Sequence, residues 1–492
     1  MYDIIVVGRD ISSLVAASLA VHRGRRTLLL EEGGPDHVFS LAGGYLFDRD
    51  PLPWSGLDTD GVFAAFLEDM GIDCFRDSGR EPLIQAVLKD RSVDLPCTVE
   101  NRCRELSRDF SIPEDTIRSW YETLYRNSRF IREMVPKYLD RKNGLHERAG
   151  NLFRELKGRV IGNFKGLQEN FNSPEWLELK GVLEAERAVF ARYTDPDEGL
   201  SSDGASYALS SSLSGGFRLP PGGKQSIVKA LKDTIVRGSG TILSCDTVTE
   251  IRIGTKVTVK LEQGGETSSL PAGRVIVSTR WRGLPSFLEG NPLLSRCLKK
   301  FSPRKKECWP FTMHMGVGER SLPEMMGEQV ILSLNESERP CPTLPFIYLN
   351  RTLSGAGETA PPGKTALAAT MMVLKPSPRT GDDELAALAS CMLQVLRRPF
   401  PFLPDAVESF DLDTSIGISR AGGEDRDSGY RAKGRAFFGL PLRDGSTPLD
   451  TVFLAGGELA PVLGFDGDVV SGITAARAAL GEDRYAYYPR SG

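Results

Sequence analysis

The feature that most constrains this chain lies at the start of its sequence. Residues 3–7 (DIIVV) form a short apolar, β-branched run, which is typical of a buried parallel strand. A turn at residues 8–13 leads into a small, apolar stretch at helical spacing, which Gly24 ends. A second apolar run, residues 26–30 (RTLLL), then leads to Glu31. This order of strand, turn, helix, strand and acid predicts a parallel α/β unit of the dinucleotide-binding type.

The turn departs from the usual G-x-G-x-x-G pattern at two of its three glycines. Gly8 keeps the first position, but Asp10 and Ser13 stand at the second and third. An Asp10 carboxylate beside the helix N-terminus would lie where a pyrophosphate docks, and two like charges about 4 Å apart cost about 1 to 4 kcal/mol. Alternatively, Asp10 caps the helix and satisfies the N–H groups that a phosphate would use. Glu31 lies 23 residues after Gly8, near the offset of a ribose-binding acid, and its other interpretation is a solvated strand end.

The composition excludes several classes of protein. A chain of 492 residues, with 40% hydrophobic and 26% charged residues, is expected to form two or more globular domains. A net charge of −4 gives no general attraction to nucleic acid. The eight cysteines form no CxxC pair, so they predict neither a zinc site nor a disulfide framework and fit a reducing compartment. The sequence shows no signal peptide and no apolar run of about 18 residues, which predicts a cytoplasmic protein.

Helical patterns dominate the next region. A helical pattern begins near residue 59, residues 82–99 predict a small hairpin, and residues 101–193 are predicted to be nearly all helix. Residues 101–165 carry six more basic than acidic side chains, although the whole chain is acidic. One interpretation is a basic face that contacts an anionic membrane surface or an acidic partner. The other, which we favour, is a helical lid with a solvated charged face, because the charges do not segregate on one side.

The middle of the chain returns to alternating strand and helix patterns. Residues 201–216 are rich in Gly and Ser and predict a loop or linker. The run RLPPGGKQSI then opens a predicted helix that ends near Arg237. Strand patterns follow at residues 241–243, 248–253, 256–261 and 274–278 (RVIVS).

Three stretches, in the same order, resemble the flavin-dependent amine oxidase and phytoene desaturase superfamily, whose fold the GDP dissociation inhibitors share. The opening stretch is YDIIVVGRDISSLVAA…LLLEE. The middle stretch is RLPPGGKQSIVKAL…TILSCDTVTEI, which is similar to the family's P-x-GG helix and the strand after it. The closing stretch is FLAGGELAPVLGFDGDVVSGITAARAAL, which resembles the family's final strand, A-G-D turn and helix. Together they cover roughly a third of the chain.

The resemblance implies FAD as the cofactor and assigns its contacts. These would be Gly8, Asp10 and Ser13 at the pyrophosphate turn, Glu31 at the ribose, Val248 at the adenine through its backbone, Gly456 and Gly457 at the ribityl-phosphate end, and Gly467, Asp468 and Val469 at the helix N-terminus facing the flavin. Such a helix end stabilises negative charge on a reduced flavin. Asp10 and Asp468 stand where the family has small neutral residues. Gly457 lacks the family's carboxylate, and Glu458 supplies an acid one residue late.

The resemblance also implies the domain organisation. The fold class is α/β, with a Rossmann-like FAD-binding domain assembled from discontinuous segments and an α+β substrate domain that has an antiparallel sheet and a helical insert. The expected segments are 1–58, 201–285 and 440–492 for the FAD-binding domain, and 59–200 and 286–439 for the substrate domain.

The second domain supplies the candidate substrate-facing residues. Strand patterns at residues 311–317, 329–334, 346–350 and 365–373 predict its antiparallel sheet, and an amphipathic helix follows at 382–397. In the family such a sheet floors an apolar substrate cavity, and the residues that either line it or join the core are Met313, Met315, Met371 and Met372. Among four histidines only His314 is placed to face a cavity, and a hydrogen-bonded sheet histidine is the commoner alternative. No Ser-His-Asp order, metal-ligand spacing or P-loop is present, so no catalytic residue is assigned.

Two functional hypotheses follow. The leading one is an FAD-dependent oxidoreductase, desaturase-like or amine-oxidase-like, acting on a hydrophobic small molecule such as an isoprenoid-like chain. Flavin carries the hard chemistry itself, so no catalytic side chain is obligatory. The alternative is a flavin-free pseudoenzyme on the same scaffold that binds a lipid or a protein partner. Glu31, the P-x-GG block and the closing helix favour the first hypothesis. The second is favoured by Asp10, Ser13, Gly457 and Asp468. Peripheral membrane contact is compatible with either.

Overall fold

Two large β-sheets organise the protein, and a computed structural model describes most of the chain around them. The described residues are 1–33, 38–50, 52–57, 61–72, 84–139, 174–190, 203–213, 217, 223–254, 256–281, 283–295, 301–303, 309–324, 326–335, 338, 343–352, 359–374, 380–427, 430–432 and 445–482. The domain boundaries given above remain a prediction.

The strands and helices alternate in clusters along the chain. In order, the strands are β1 Tyr2–Val7, β2 Thr27–Glu32, β3 Val38–Leu41, β4 Tyr45–Asp48, β5 Ile84–Val87, β6 Ser92–Leu95, β7 Thr241–Cys245, β8 Thr247–Ile253, β9 Val257–Gln263, β10 Glu266–Ser278, β11 Phe301–Pro303, β12 Trp309–Gly318, β13 Gln329–Ser333, β14 Thr343–Thr352, β15 Lys364–Val373, β16 Val407–Phe410, β17 Tyr430–Ala432 and β18 Val452–Ala455. The α-helices are α1 Ile11–His22, α2 Val62–Asp69, α3 Val99–Phe110, α4 Glu114–Leu139, α5 Pro174–Phe190, α6 Asp203–Leu213, α7 Gly223–Arg237, α8 Leu284–Glu289, α9 Asp382–Leu396, α10 Leu412–Asp427 and α11 Phe465–Leu480.

The first sheet has seven strands among the described residues and is drawn from three distant parts of the chain. Its order is β7-β2-β1-β10-β9-β8, and β18 lies beside β10. The pairs from β7 to β18 are parallel, whereas β8, β9 and β10 form an antiparallel meander. Strand β1 is buried and apolar because both faces of a parallel sheet are covered. The carboxyl ends of β1, β10 and β18 therefore meet at one edge.

Two helices cover one face of this sheet and point their N-termini at that edge. Helix α1 is buried from Ile11 to Val21, since its small apolar residues allow close packing against α11. Gly472 of α11 makes this possible, because a Cβ there would lie 2.4 Å from the Ser12 carbonyl oxygen. Both helix starts are thereby fixed beside the loops that follow the parallel strands.

The second sheet has the order β16-β12-β15-β14-β13-β5-β6 in the part of the chain that the structure describes. Alternation along β12, β14 and β15 separates two faces. One face packs on α9 and α10 through an apolar core. The other packs on the helices α3 to α6 and on the β3–β4 hairpin. The hairpin predicted within residues 82–99 is confirmed as β5 and β6, which pair antiparallel.

The helices α3 to α6 form a helical unit over the second sheet. The prediction of a loop at residues 201–216 was wrong, because residues 203–213 form α6. Its serines tolerate the helix since their hydroxyls donate to carbonyls one turn earlier, while Tyr207 and Leu209 are buried. Arg102 of α3 is fully buried and donates from Nη1 to Glu186 of α5 at 2.7 Å. This ion pair links α3 to α5 inside the helical unit.

The predicted basic face of residues 101–165 is described only as far as residue 139. Within the described residues, no helix is both long enough and apolar enough to cross a membrane.

Candidate functional site

Three loops meet at the carboxyl edge of the first sheet. Gly8 follows β1, Thr279 follows β10 and Gly456 follows β18. A Cβ at Gly8 would lie 2.2 Å from Ser13 Oγ and 2.6 Å from Ser278 Cβ, and a Cβ at Gly456 would lie 1.7 Å from Thr279 Oγ1. Both glycines have φ values, 150° and 147°, that favour glycine. The loops therefore approach so closely that neither position has room for a side chain.

Asp10 occupies the N-terminus of α1. Its Oδ1 accepts from the Ser13 N–H at 2.9 Å, from Ser13 Oγ at 2.9 Å and from Ser12 Oγ at 2.5 Å, and its Oδ2 accepts from Ser278 Oγ. Burial alone would raise the pKa of Asp10, but the Arg280 charge and these hydrogen bonds more than offset it and lower the pKa. Asp10 is thus an ionised helix cap inside the protein.

Arg280 lies at the centre of the three loops. Its Nη2 donates to both oxygens of Asp468, at 3.1 and 3.3 Å, and its Nε donates to Glu458 Oε1 at 3.2 Å. The Asp468 and Glu458 side chains are 1% and 3% exposed, and Asp10 is also buried. These carboxylates outweigh the effect of burial and raise the pKa of Arg280. We call Arg280, Asp10, Glu458 and Asp468 the Arg280 cluster; it carries one positive and three negative charges.

The backbone N–H groups of the turn after β18 also donate hydrogen bonds within the protein. The Gly457 N–H donates to Asp468 Oδ1 at 2.9 Å, and the Gly456 N–H donates to Ser471 Oγ at 2.9 Å. Glu458, one residue later than the family's acid, points at Arg280. The backbone donors that the resemblance would offer to a ribityl phosphate therefore serve side chains of α11.

The residues predicted at the ribose and adenine end are paired in the same way. Glu31 forms an ion pair with Lys232 Nζ at 2.8 Å. The Val248 N–H donates to Glu32 Oε1 at 3.1 Å, and Thr247 Oγ1 donates to the same oxygen at 2.6 Å. The structure thus brings Glu31 and Val248 to the same edge of the sheet, with both groups bonded within the chain.

An aromatic stack covers the N-terminus of α11, where the resemblance would put the flavin ring. The Trp54 and Phe465 rings stack with centroids 4.9 Å apart, and both are buried. Asp466 accepts from Tyr207 Oη at 2.6 Å. A Cβ at Gly56 would lie 2.0 Å from Asp466 Oδ1. This helix end is therefore filled by side chains of the protein.

Gly467 and Val469, also predicted to face the flavin, lie in the first two turns of α11 and pack inside the protein. The Gly467 N–H donates to the Gly464 carbonyl at 3.1 Å, and a Cβ at Gly467 would lie 2.4 Å from the Ala460 carbonyl oxygen. Val469 is fully buried in the apolar core. Both residues serve packing in this structure.

Sequence reasoning missed the two residues that dominate this region, Arg280 and Trp54. Arg280 had a signal, because it stands two residues after the buried strand RVIVS, and ligands of open α/β sheets bind at the carboxyl ends of such strands. Trp54 had none, since it lies in a Pro-rich stretch that resembles an ordinary loop.

The second sheet places its candidate residues in the protein interior. Three methionines, Met313, Met315 and Met371, face α9 and α10, and Met372 faces the helical unit. His314 is fully buried under the edges of Phe39 and Phe47, with ring centroids 4.7 and 5.2 Å away. Burial and the nearby Arg49 charge lower the pKa of His314 to about 3. Neither ring nitrogen has a hydrogen-bond partner among the described residues, so His314 is not, within them, the hydrogen-bonded sheet histidine of the alternative interpretation.

Comparison with known proteins identifies the fold. No family model and no curated protein matches this sequence. Cyclohexylamine oxidase from Brevibacterium oxydans superposes with a TM-score of 0.55 at 14% identity, over 98% of this chain and 99% of the other. A putrescine oxidase variant gives 0.57 at 14% identity, over 98% and 99%. The chain has the amine-oxidase fold. Rab GDI from Plasmodium falciparum shares it, with a TM-score of 0.53 at 12% identity over 98% of each chain, so the resemblance drawn from the sequence is confirmed at the level of fold.

FAD, which the resemblance implies, does not fit the residues present. Asp10 takes the helix N-terminus that a pyrophosphate would use, and Asp468 takes the N–H of Gly457. Trp54 and Phe465 stack beside the helix N-terminus to which the resemblance assigns the ring. In the Arg280 cluster three carboxylates face one guanidinium. This arrangement disfavours the binding of a dianionic phosphate beside these residues.

Proposed function

We propose that this chain is a flavin-free binding protein that keeps the amine-oxidase fold as a scaffold. The observation that carries the proposal is the Arg280 cluster, in which a cation and three carboxylates of the protein itself occupy the meeting point of the phosphate-binding loops. Rab GDI has the same fold, and the sequence resemblance extends to the GDP dissociation inhibitors, which are a precedent for a binding function on it.

The negative charges of Asp10 and Asp468 set the size of the expected loss of phosphate affinity. A phosphate about 4 Å from an ionised carboxylate is disfavoured by about 1 to 4 kcal/mol, so Asp10 and Asp468 together cost about 2 to 8 kcal/mol. Each 1.4 kcal/mol changes affinity about tenfold. The lower figure corresponds to a loss of affinity of about 30-fold, and the upper figure to one of more than about 10⁵-fold.

An oxidoreductase with bound FAD is the second candidate. Cyclohexylamine oxidase and putrescine oxidase share the fold, and Gly8 and Gly456 keep the backbone conformation on which nucleotide turns depend. A hydrophobic, isoprenoid-like substrate and a cytoplasmic, membrane-peripheral location belong to this candidate as proposals.

The experiment that separates the two candidates measures flavin directly. The protein is produced with excess riboflavin, its visible absorption is recorded, and flavin released on denaturation is quantified. We expect a colourless protein. The variant Asp10→Gly with Asp468→Ala is expected to gain FAD affinity, because it removes two of the carboxylates that face Arg280 and would repel a phosphate.

The control is Asp90→Ala with Asp382→Ala, which removes two largely exposed carboxylates and is expected to leave the protein colourless. Stoichiometric FAD in the unaltered protein would overturn the proposal in favour of the oxidoreductase. A colourless protein whose double variant also takes up no FAD would keep the flavin-free function but reject electrostatic exclusion as its cause.

A further inference from the structure

A two-stranded ribbon outside the two large sheets joins two basic stretches of the sequence. Strands β11 and β17 pair antiparallel, with Ser302 opposite Arg431. Residues 299–306 (KKFSPRKK) contain five basic residues and no acidic one. Residues 430–435 (YRAKGR) contain three basic residues and no acidic one. The pairing therefore brings together two positive stretches that lie far apart in a chain whose net charge is −4.

Chain connectivity keeps several of these charges at the ribbon. Arg431 belongs to β17, and three further basic residues directly adjoin the two strands in the sequence: Lys300, Arg304 and Lys433. Consecutive Cα atoms are about 3.8 Å apart, so each of the three starts one residue away from the strand pairing. Lys and Arg are almost never fully buried without a partner of opposite charge. We call strands β11 and β17, together with these three residues, the basic ribbon.

The basic ribbon lies beside the Arg280 cluster, because strand β17 contacts the turn Gly457–Leu459. One interpretation of the ribbon is therefore charge balance for that cluster, in which three carboxylates face one guanidinium. Balance needs at most two further cations, whereas the two stretches supply eight. Glu458, the acid of the contacting turn, already accepts from Arg280 Nε at 3.2 Å and from Thr279 Oγ1 at 2.8 Å. Most of the positive charge is thus in excess of what the cluster requires.

Helices α3 and α4 belong to the other basic region of the chain, and their charges are more evenly mixed. Arg108 forms ion pairs with Glu105 and Asp109, and Arg118 forms one with Glu114. A cation with an acidic neighbour on the same surface attracts an anionic surface less, because the two charges oppose each other at a distance. The basic ribbon is therefore the better candidate for contact with an anionic partner.

The residue types favour an anionic lipid surface over a nucleic acid. Aromatic residues occur among the cations, Phe301 in β11 and Tyr430 in β17. Clusters of about four to eight Lys and Arg residues bind anionic lipid head groups, and aromatic residues favour the membrane interface. Recognition of base edges instead uses amides and hydroxyls together with Arg. Residues 430–435 contain no Ser, Thr, Asn or Gln, and residues 299–306 contain only Ser302.

We propose that the basic ribbon docks this protein on a membrane surface rich in anionic phospholipid. The inference goes beyond the flavin-free function and does not depend on it, because it concerns a different set of residues. Each basic residue near such a surface contributes about fivefold to affinity. The binding is electrostatic, so it weakens as salt shortens the Debye length from about 10 Å at 0.1 M to about 3 Å at 1 M.

The test measures co-sedimentation of the full-length protein with phosphatidylcholine vesicles that do or do not contain phosphatidylserine. We expect binding to the phosphatidylserine vesicles at low salt, release at high salt and no binding to phosphatidylcholine alone. Equal binding to both vesicle types, or binding to neither, would overturn the proposal. Binding to a DNA oligonucleotide is measured at the same concentration of negative charge, and tighter binding to DNA than to the vesicles would also overturn it.

A ribbon variant separates docking from a structural role. It carries four substitutions: Lys300→Gln, Arg304→Gln, Arg431→Gln and Lys433→Gln. We expect it to bind phosphatidylserine vesicles at least about 100-fold more weakly with little change in Tm. A lowered Tm with unaltered vesicle binding would assign the ribbon to charge balance of the Arg280 cluster and contradict the inference. If the fourfold variant does not fold, Lys300→Gln with Lys433→Gln changes no strand residue and is expected to bind about 25-fold more weakly.

The matched control carries the same number of substitutions at exposed basic residues on other parts of the chain: Lys89→Gln, Arg104→Gln, Arg126→Gln and Lys256→Gln. Both fourfold variants remove four positive charges from a chain of net charge −4, so a general effect of net charge is the same in each. Two of the control positions lie on α3 and α4, the other basic region. We expect the control to bind the vesicles far more tightly than the ribbon variant. An equal loss in both would show that net charge, and not the ribbon, determines binding, and would reject the proposal.

Discussion

Replacing Arg280 with methionine is the perturbation that tests the Arg280 cluster most directly. Methionine keeps an unbranched side chain of similar reach but removes the only positive charge of the cluster. Asp10, Glu458 and Asp468, each at most 8% exposed, are then left facing one another. Removing one partner of a buried ion pair lowers the free energy of unfolding by about 3 to 5 kcal/mol. Here a single substitution removes the cation that faces three carboxylates.

The loss of stability in Arg280→Met is expected to depend on pH. In the unaltered protein the pKa of Asp10 is lowered, so its contribution to stability is present above the ordinary carboxylate pKa and is lost as the pH falls below about 4. In Arg280→Met the stranded carboxylates favour their neutral forms, and their pKa values rise. The variant is therefore expected to recover stability between about pH 7 and pH 5, where the unaltered protein does not.

The assay is urea unfolding followed by far-ultraviolet circular dichroism at several pH values. Arg118→Met serves as the control, since Arg118 pairs with Glu114 on a helix surface and its loss is expected to change the unfolding free energy far less. A loss below about 1 kcal/mol for Arg280→Met, or a loss of the same size at every pH, would refute the reasoning.

Two further predictions rest on buried charges elsewhere. Arg102→Met is expected to destabilise the protein by about 3 to 5 kcal/mol, because it strands Glu186 and removes donors to the Pro96 and Leu95 carbonyls; Glu186→Gln, which keeps those donors bonded, should lose clearly less in the same urea titration. His314, whose folded pKa of about 3 lies below its ordinary 6.5, stabilises the protein above pH 6.5 and is expected to cost about 2 kcal/mol between pH 7.5 and pH 5. His314→Phe should flatten that part of the stability profile, whereas substitution of the exposed His22 should not.

The sequence predicted the elements of the first sheet because each was locally marked. Residues 3–7 and 274–278 are continuous apolar runs, and Gly24 ends a helix of small residues. The loop predicted at residues 201–216 failed for the opposite reason: serine is common in loops, but α6 satisfies its serine hydroxyls within the helix and is held by buried Tyr207 and Leu209. Tertiary packing outweighed local composition there.

The site was harder to predict, because its decisive contacts join residues far apart in the chain. The sequence showed Asp10 and Asp468 as misplaced acids, but a single acid is compatible with repulsion of a phosphate and with capping of a helix. Only the position of Arg280 beside both shows that the two acids share one cation of the protein. The same holds for Glu32, whose bond to the Val248 N–H depends on a strand pairing that no local pattern specifies.

The first sheet has a consequence for biosynthesis. Its central strand β1 is made first, but its neighbour β10 arrives about 270 residues later and β18 completes the sheet only near residue 455. At about 5 to 20 residues per second, roughly 20 to 90 s separate the emergence of Asp10 from that of Asp468. During that interval the face of α1 that packs on α11 has no cover from that helix. The β1–α1 unit therefore cannot complete its native contacts until residues 465–480 have been made.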